Sequence, residues 1–134
     1  MWQLQKTESF ERTLKWYLKK HTEATGATLT NLETYMTLLH ALKDGVHPSI
    51  IQAGFIHTEA MGAIALDQTK GKRDKDGKRT MAKLIQLRLY LYADHTTQIA
   101  HLITIGDKAS QHDNVQACRK FIVELRKAQD VKQK

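Results

Sequence analysis

The sequence predicts an α+β fold: a small antiparallel-rich sheet with an N-terminal helical hairpin on one face and a C-terminal helix. Three patterns predict it. Ile85, Leu87, Leu89 and Leu91 alternate with Gln86, Arg88, Tyr90 and Tyr92, the period of two expected of a strand with one buried face. Two earlier stretches space apolar residues three and four apart, as amphipathic helices do. A third such stretch lies near the end of the chain.

Taken in order, Trp2 to Lys6 alternates as a short strand with Trp2 and Leu4 inward. Ser9 is a candidate helix N-cap. Phe10, Leu14, Tyr17, Leu18 and His21 then recur at helical spacing, predicting a first helix over 10–21 that Thr25-Gly26 interrupts. Thr30-Asn31-Leu32-Glu33 has the form of a capping box, in which hydroxyl and carboxylate satisfy exposed amides reciprocally. Leu32, Tyr35, Met36, Leu39 and Leu42 continue it as a second helix, closed by Lys43 and Gly45. His47-Pro48 ends the helical section. Residues 55–66 are apolar but alternate poorly, predicting one bent strand or two short ones. The run 70–79 carries six basic and two acidic residues with two glycines, so it is expected to be an exposed, flexible loop. The strand containing Arg88 follows. Ala93-Asp94-His95-Thr96 is a turn, and Gln98 to Ile105 returns as the second arm of a hairpin ended by Gly106-Asp107-Lys108. Val115, Cys118, Phe121, Ile122 and Leu125 mark a third helix over about 113–126. A basic tail over 127–134 completes the chain.

At 134 residues the chain has the length of a single domain able to bury a core without staples. Its net charge of +7 narrows the partners to nucleic acid, an anionic membrane surface or an acidic protein. One cysteine, Cys118, excludes an internal disulfide and suits a reducing cytoplasm. The first residues contain no apolar run of signal-peptide length, and no window approaches a membrane span. A cytoplasmic location without membrane association is therefore expected.

The order strand, helix, helix, strand, strand, strand, helix resembles the RelE/ParE family of small bacterial toxins, the toxin halves of toxin–antitoxin pairs. Short motifs carry the resemblance alongside the topology. Ser9-Phe10 looks like the start of that family's first helix. Arg88-Leu89-Tyr90-Leu91-Tyr92 looks like its arginine-hydrophobic-tyrosine strand. The spacing from Arg88 to Ile105-Gly106-Asp107-Lys108 is similar to that between the family's strand arginine and the basic end of the next strand. Ala117 and Cys118 on the core side of the last helix also fit. Two departures stand out. The charged run 70–79 looks like an insertion. Ile64, Ala65 and Leu66 occupy the place where cleaving members carry basic residues.

The resemblance implies a metal-independent endoribonuclease, without a cofactor, acting on messenger RNA at the ribosome. A 2′-hydroxyl attacks the neighbouring phosphate in that reaction. It needs a base for the hydroxyl, cations on the phosphate oxygens and an acid for the leaving 5′-oxygen. Arg88 is the candidate phosphate clamp, because a guanidinium is a permanently charged, bidentate donor; the bland reading is a surface arginine on a half-exposed strand. Lys108 matches a second phosphate-binding cation by the resemblance, or is a solvated lysine after a turn. His112 titrates near neutral pH and is the candidate acid or base, or one bystander among seven histidines. Asn114 falls near where some members use a tyrosine and cannot transfer a proton. Tyr90 could stack on a base or simply pack. Lys70, Lys72, Arg73, Lys78 and Arg79 are candidate RNA contacts through phosphate, with the first three replacing the missing strand lysines.

Other chemistries fail on the residues. Asp74 and Asp76-Gly77 lack the closing glutamate of a calcium loop. No histidines are spaced i, i+4 and one cysteine makes no zinc site. The glycines form no phosphate cradle. Cys118 sits on an apolar stripe, the place of a structural thiol. An acidic antitoxin is the implied protein partner. The alternatives are a non-catalytic ParE-type inhibitor of DNA gyrase and a degenerate nucleic-acid-binding member of the family.

Overall fold

The computed structural model of the chain describes residues 1–68 and 85–133. Its elements are β1 (Gln3–Lys6), α1 (Glu8–Lys20), α2 (Thr22–His40), β2 (Ile56–Thr58), β3 (Ile64–Asp67), β4 (Leu87–Asp94), β5 (Ile99–Asp107) and α3 (Gln111–Gln133), with short 3-10 turns at Pro48–Ile50, Ala60–Gly62 and Lys108–Ser110. The fold is α+β, as the sequence predicts. The five strands form one mixed sheet in the order β1-β5-β4-β3-β2. β1 runs parallel to β5, and every other pairing is antiparallel.

β4 holds the centre. Leu87, Leu89 and Leu91 point to one face, where they meet Phe10 and Tyr17 of α1 and Leu32, Tyr35 and Leu39 of α2. Tyr90 and Tyr92 point to the other, against Cys118, Phe121 and Ile122 of α3. The sequence reading allowed β4 one buried face; α3 covers the second. Each fully buried leucine contributes about 1.5–3 kcal/mol. A register shift at Tyr90/Leu91 leaves Ile103 of β5 unopposed. This bulge turns Ile103 toward α3, while Leu102 and Ile105 face α1 and α2.

Several local expectations give way to tertiary bonds. Thr7, not Ser9, caps α1: its hydroxyl accepts from the Phe10 amide at 3.0 Å and donates to the Ile103 carbonyl at 2.8 Å. Cap and sheet are thereby tied together. The helix break falls at His21, not at Thr25-Gly26, so the capping-box threonine Thr30 lies inside α2 and donates to the Gly26 carbonyl. Thr25 and Thr28 are fully buried there. Each donates its hydroxyl to the carbonyl four residues back, which satisfies the polar group inside the helix. Leu4 is exposed rather than inward, because β1 is an edge strand with all four residues at the surface. Residues 55–66 resolve into two strands around the Ala60–Gly62 turn, where Met61 and Gly62 both have positive φ. At the other hairpin, the buried Asp94 carboxylate accepts from the Thr96 amide, the Thr97 hydroxyl and the Gln129 amide of α3. α3 starts earlier and ends later than predicted, and the basic segment from Lys127 continues it to Gln133.

Gly106 lies where β5 passes beneath the start of α3. A Cβ there would overlap the Asn114 amide and lie 2.5 Å from Ser110 Oγ. Gly106→Ala is therefore expected to destabilise the protein by about 1–3 kcal/mol in urea denaturation. His101 supplies a pH test. It is buried against Phe121 at 5.2 Å, and its Nε2 has no partner among the described residues. Burial lowers its pKa from 6.5, partly offset by Asp94. The folded state thus takes up this proton less readily than the unfolded chain does. Its contribution is present above pH about 6.5 and is lost as the pH falls below that. The denaturation midpoint should drop between pH 7 and pH 5, and drop less in His101→Leu.

Candidate functional site

Three strand ends meet at one edge of the molecule. Asp67, the last residue of β3, lies opposite Arg88 of β4, and Arg88 lies opposite Gly106 of β5. The strands stop there and polar residues follow. Asn31 of α2 donates to the Asp67 carbonyl at 2.7 Å, and the Gln68 side chain accepts from the Leu87 amide at 2.9 Å. These two bonds from nearly buried amides fix the end of β3 and the start of β4. Asp107 caps the next turn by accepting from the Ser110 amide, which sets Lys108 at the rim.

A cavity of about 600 Å³ opens between these ends. Asp67, Arg88, Tyr90, Asp107 and Lys108 line it, with Phe55 on the opposite side of β3. The sheet thus brings Arg88 and Lys108 to one concavity. It does not bring His112. That side chain is exposed in the first turn of α3 and does not line the cavity. Asn114, two residues on and about 200° around the helix, is the one turned inward, at 9% exposure. Lys70, Lys72, Arg73, Lys78 and Arg79 lie outside the described residues.

Arg88 is not a bare cation. Its Nε donates to Asp67 Oδ1 at 3.0 Å, and its Nη1 stands 3.9 Å from Glu59 Oε1. Asp67 uses its second oxygen on His57 Nε2 at 2.5 Å. The side chains of His57, Asp67 and Arg88 remain 38%, 35% and 32% exposed, so solvent and ligand reach all three. Among the described residues, these two cations therefore stand beside three carboxylates, those of Asp67, Glu59 and Asp107. Where the resemblance called for basic residues, β3 instead buries Ala65 and Leu66 and ends in an acid.

Tyr90 differs from a stacking platform. Its ring is fully buried among Ala65, Ile103 and Cys118, so no face is open to a base. The Asn114 side chain lies beside its hydroxyl, without a fully formed hydrogen bond. Burial pushes the phenol up to about 12, and the Arg88 guanidinium opposes that rise.

The residue that sequence reasoning missed is His57. It lies ten positions from Asp67 in a poorly alternating stretch, and only the β2–β3 register joins them. No group of three or more metal-ligating side chains occurs among the described residues, and no helix there is long and apolar enough to cross a membrane.

No family model, curated protein or solved structure matches the chain.

Cys118 lies near the site but within the core. It is 1% exposed, and burial, reinforced by Glu59, pushes its thiol up to about 12. The thiol is expected to react with a disulfide reagent only when the protein unfolds. Labelling in buffer and in urea checks this: rapid labelling of the native protein would contradict the buried placement.

Proposed function

We propose that the chain is a toxin of the RelE/ParE type that cleaves messenger RNA at the ribosome by 2′-hydroxyl attack. The observation that carries this reading is the cavity shared by Arg88 and Lys108, two cations 20 positions apart in sequence. A phosphodiester seated between them would have its oxygens neutralised from two sides. The nucleophile belongs to the substrate, so the protein need supply only charge and proton transfer. The element order supports the same reading, with β2 and β3 together standing for the first of the three strands after the helices. So does the packing of α1 and α2 residues against the leucines of β4. A net charge of +7 favours an RNA substrate and an acidic antitoxin that covers the site in a cytoplasmic complex.

A second reading has its own observation. Arg88 already faces Asp67 and Glu59, and His112 is outside the cavity. Both features fit a non-catalytic toxin of the ParE type directed at DNA gyrase, in which the pocket is structural.

Induction in a bacterial host separates the two. Primer extension should find discrete in-frame cuts in translated messages. Arg88→Ala and Lys108→Ala should each lower the cutting by about 10²-fold or more without loss of the folded protein. DNA damage without RNA cuts would instead support the gyrase reading.

A further inference from the structure

The strand edge holds a second arrangement that the proposed cleavage does not yet use. His57, Asp67 and Arg88 come from three adjacent strands. Asp67 pairs directly with Arg88. His57 pairs with Ala65, two residues before Asp67, so the pleat turns His57, Asp67 and Arg88 to the same side of the sheet. The Asp67 carboxylate spends one oxygen on each neighbour: Oδ1 on Arg88 Nε at 3.0 Å and Oδ2 on His57 Nε2 at 2.5 Å. A single acid therefore holds an imidazole and a guanidinium side by side at one strand end.

We infer that His57 is the proton acceptor of the RNA-cleaving reaction, with Asp67 as its positioning residue. The inference rests on the nuclease reading above. A carboxylate only accepts hydrogen bonds, so the hydrogen on the His57 ring sits on Nε2. The lone pair of the neutral ring is then on Nδ1, the nitrogen turned away from Asp67. Proton uptake at Nδ1 produces an imidazolium that Asp67 stabilises directly. Asp67 takes the Nε hydrogen of Arg88, and Glu59 at 3.9 Å is beyond hydrogen-bond length. Donors on both terminal nitrogens of the guanidinium therefore have no hydrogen-bond partner among the described residues, although Nη1 faces Glu59 as an ion pair.

The step balances without a metal or redox partner. Nδ1 of His57 takes the proton of the 2′-hydroxyl as that oxygen bonds to phosphorus. The phosphorus–O5′ bond breaks and its electron pair leaves with the 5′-oxygen, which takes a proton from water. The products are a 2′,3′-cyclic phosphate end and a 5′-hydroxyl end. His57 then returns its proton to solvent. Arg88 and Lys108 carry the charge on the phosphate oxygens throughout. His57 does not itself line the cavity, but it is bonded to Asp67, which does.

The competing role for the same contacts is a brace between β2 and β3, worth about 1 kcal/mol. Full-length protein and ribosome-bound messenger RNA distinguish the roles when single-turnover cleavage and RNA affinity are measured separately. His57→Gln keeps an amide donor toward Asp67 and so keeps the brace. It should fold, melt near the wild type and bind RNA within about twofold, yet cleave about 10²–10³-fold more slowly. His57→Ala should lose the same rate and regain part of it in added imidazole, whereas Arg88→Ala should not. Cleavage by His57→Gln at the wild-type rate would overturn the inference and leave the nuclease reading standing. Loss of rate, affinity and melting temperature together, without imidazole rescue, would also overturn it and make His57 a brace. A wild-type protein that cuts no RNA would remove the nuclease reading itself, and His57's role with it.

Discussion

The pairing of β4 with β5 is the constraint on which both halves of the molecule depend. Eight residues of β4 lie against nine of β5, and this ribbon is the common wall of two hydrophobic clusters. One holds α1 and α2 through the leucines of β4; the other holds α3 through its tyrosines. A slip of one residue would exchange the two faces. The leucines would then meet the narrower α3 cluster, and Arg88 would point into the helical core. The hydrophobic cost of that exchange fixes the register, and the register fixes where Arg88 emerges. The bulge at Ile103 adjusts the same ribbon, letting β5 send Ile103 to α3 without displacing Leu102 from the opposite face.

Polar chemistry is confined to the place where this ribbon ends. Among the described residues of the sheet, the charged strand side chain buried below a tenth is Asp94 at the far turn, and three donors satisfy it. At the near end, Asp67, Arg88 and Asp107 leave the sheet together because β3, β4 and β5 stop at the same level. Backbone groups freed at those ends are taken up by the Asn31, Gln68 and Asp107 side chains. The scaffold for the cavity is thus made of capping bonds, which hold strand termini more tightly than a loop would. Buried polar ties of this kind are expensive to leave half-made, so the geometry they impose is well defined.

Asp67 gives the site its character. Without it, Arg88 and Lys108 would keep only Glu59 and Asp107 as nearby carboxylates among the described residues. With it, carboxylates outnumber cations there among the described residues, and a histidine is drawn to the edge of the notch. Such a site attracts anions less strongly over distance, but it orients the groups that remain. The resulting chemistry is one of positioned donors and acceptors rather than of a basic patch.

Much of this was legible in the residues. The two-residue period around Arg88, the helical spacing in α1 and α3 and the polar turn after Ala93 each report a local choice between buried and solvated faces, and such choices are written in adjacent side chains. The positions of Arg88 and Lys108 at opposite arms of one hairpin follow from the same pattern. Other features were not legible. Thr7 caps α1 because β5 presents the Ile103 carbonyl to it. α2 begins at Thr22 because its threonines satisfy themselves inside the helix. His57 meets Asp67 because β2 and β3 pair around a turn that no alternation announces. The sequence by itself determined which segments become helix or strand, since this depends on spacing within one segment. Only the tertiary structure decided which polar side chains share a site, because hydrogen bonds between strands depend on a register that distant core packing sets.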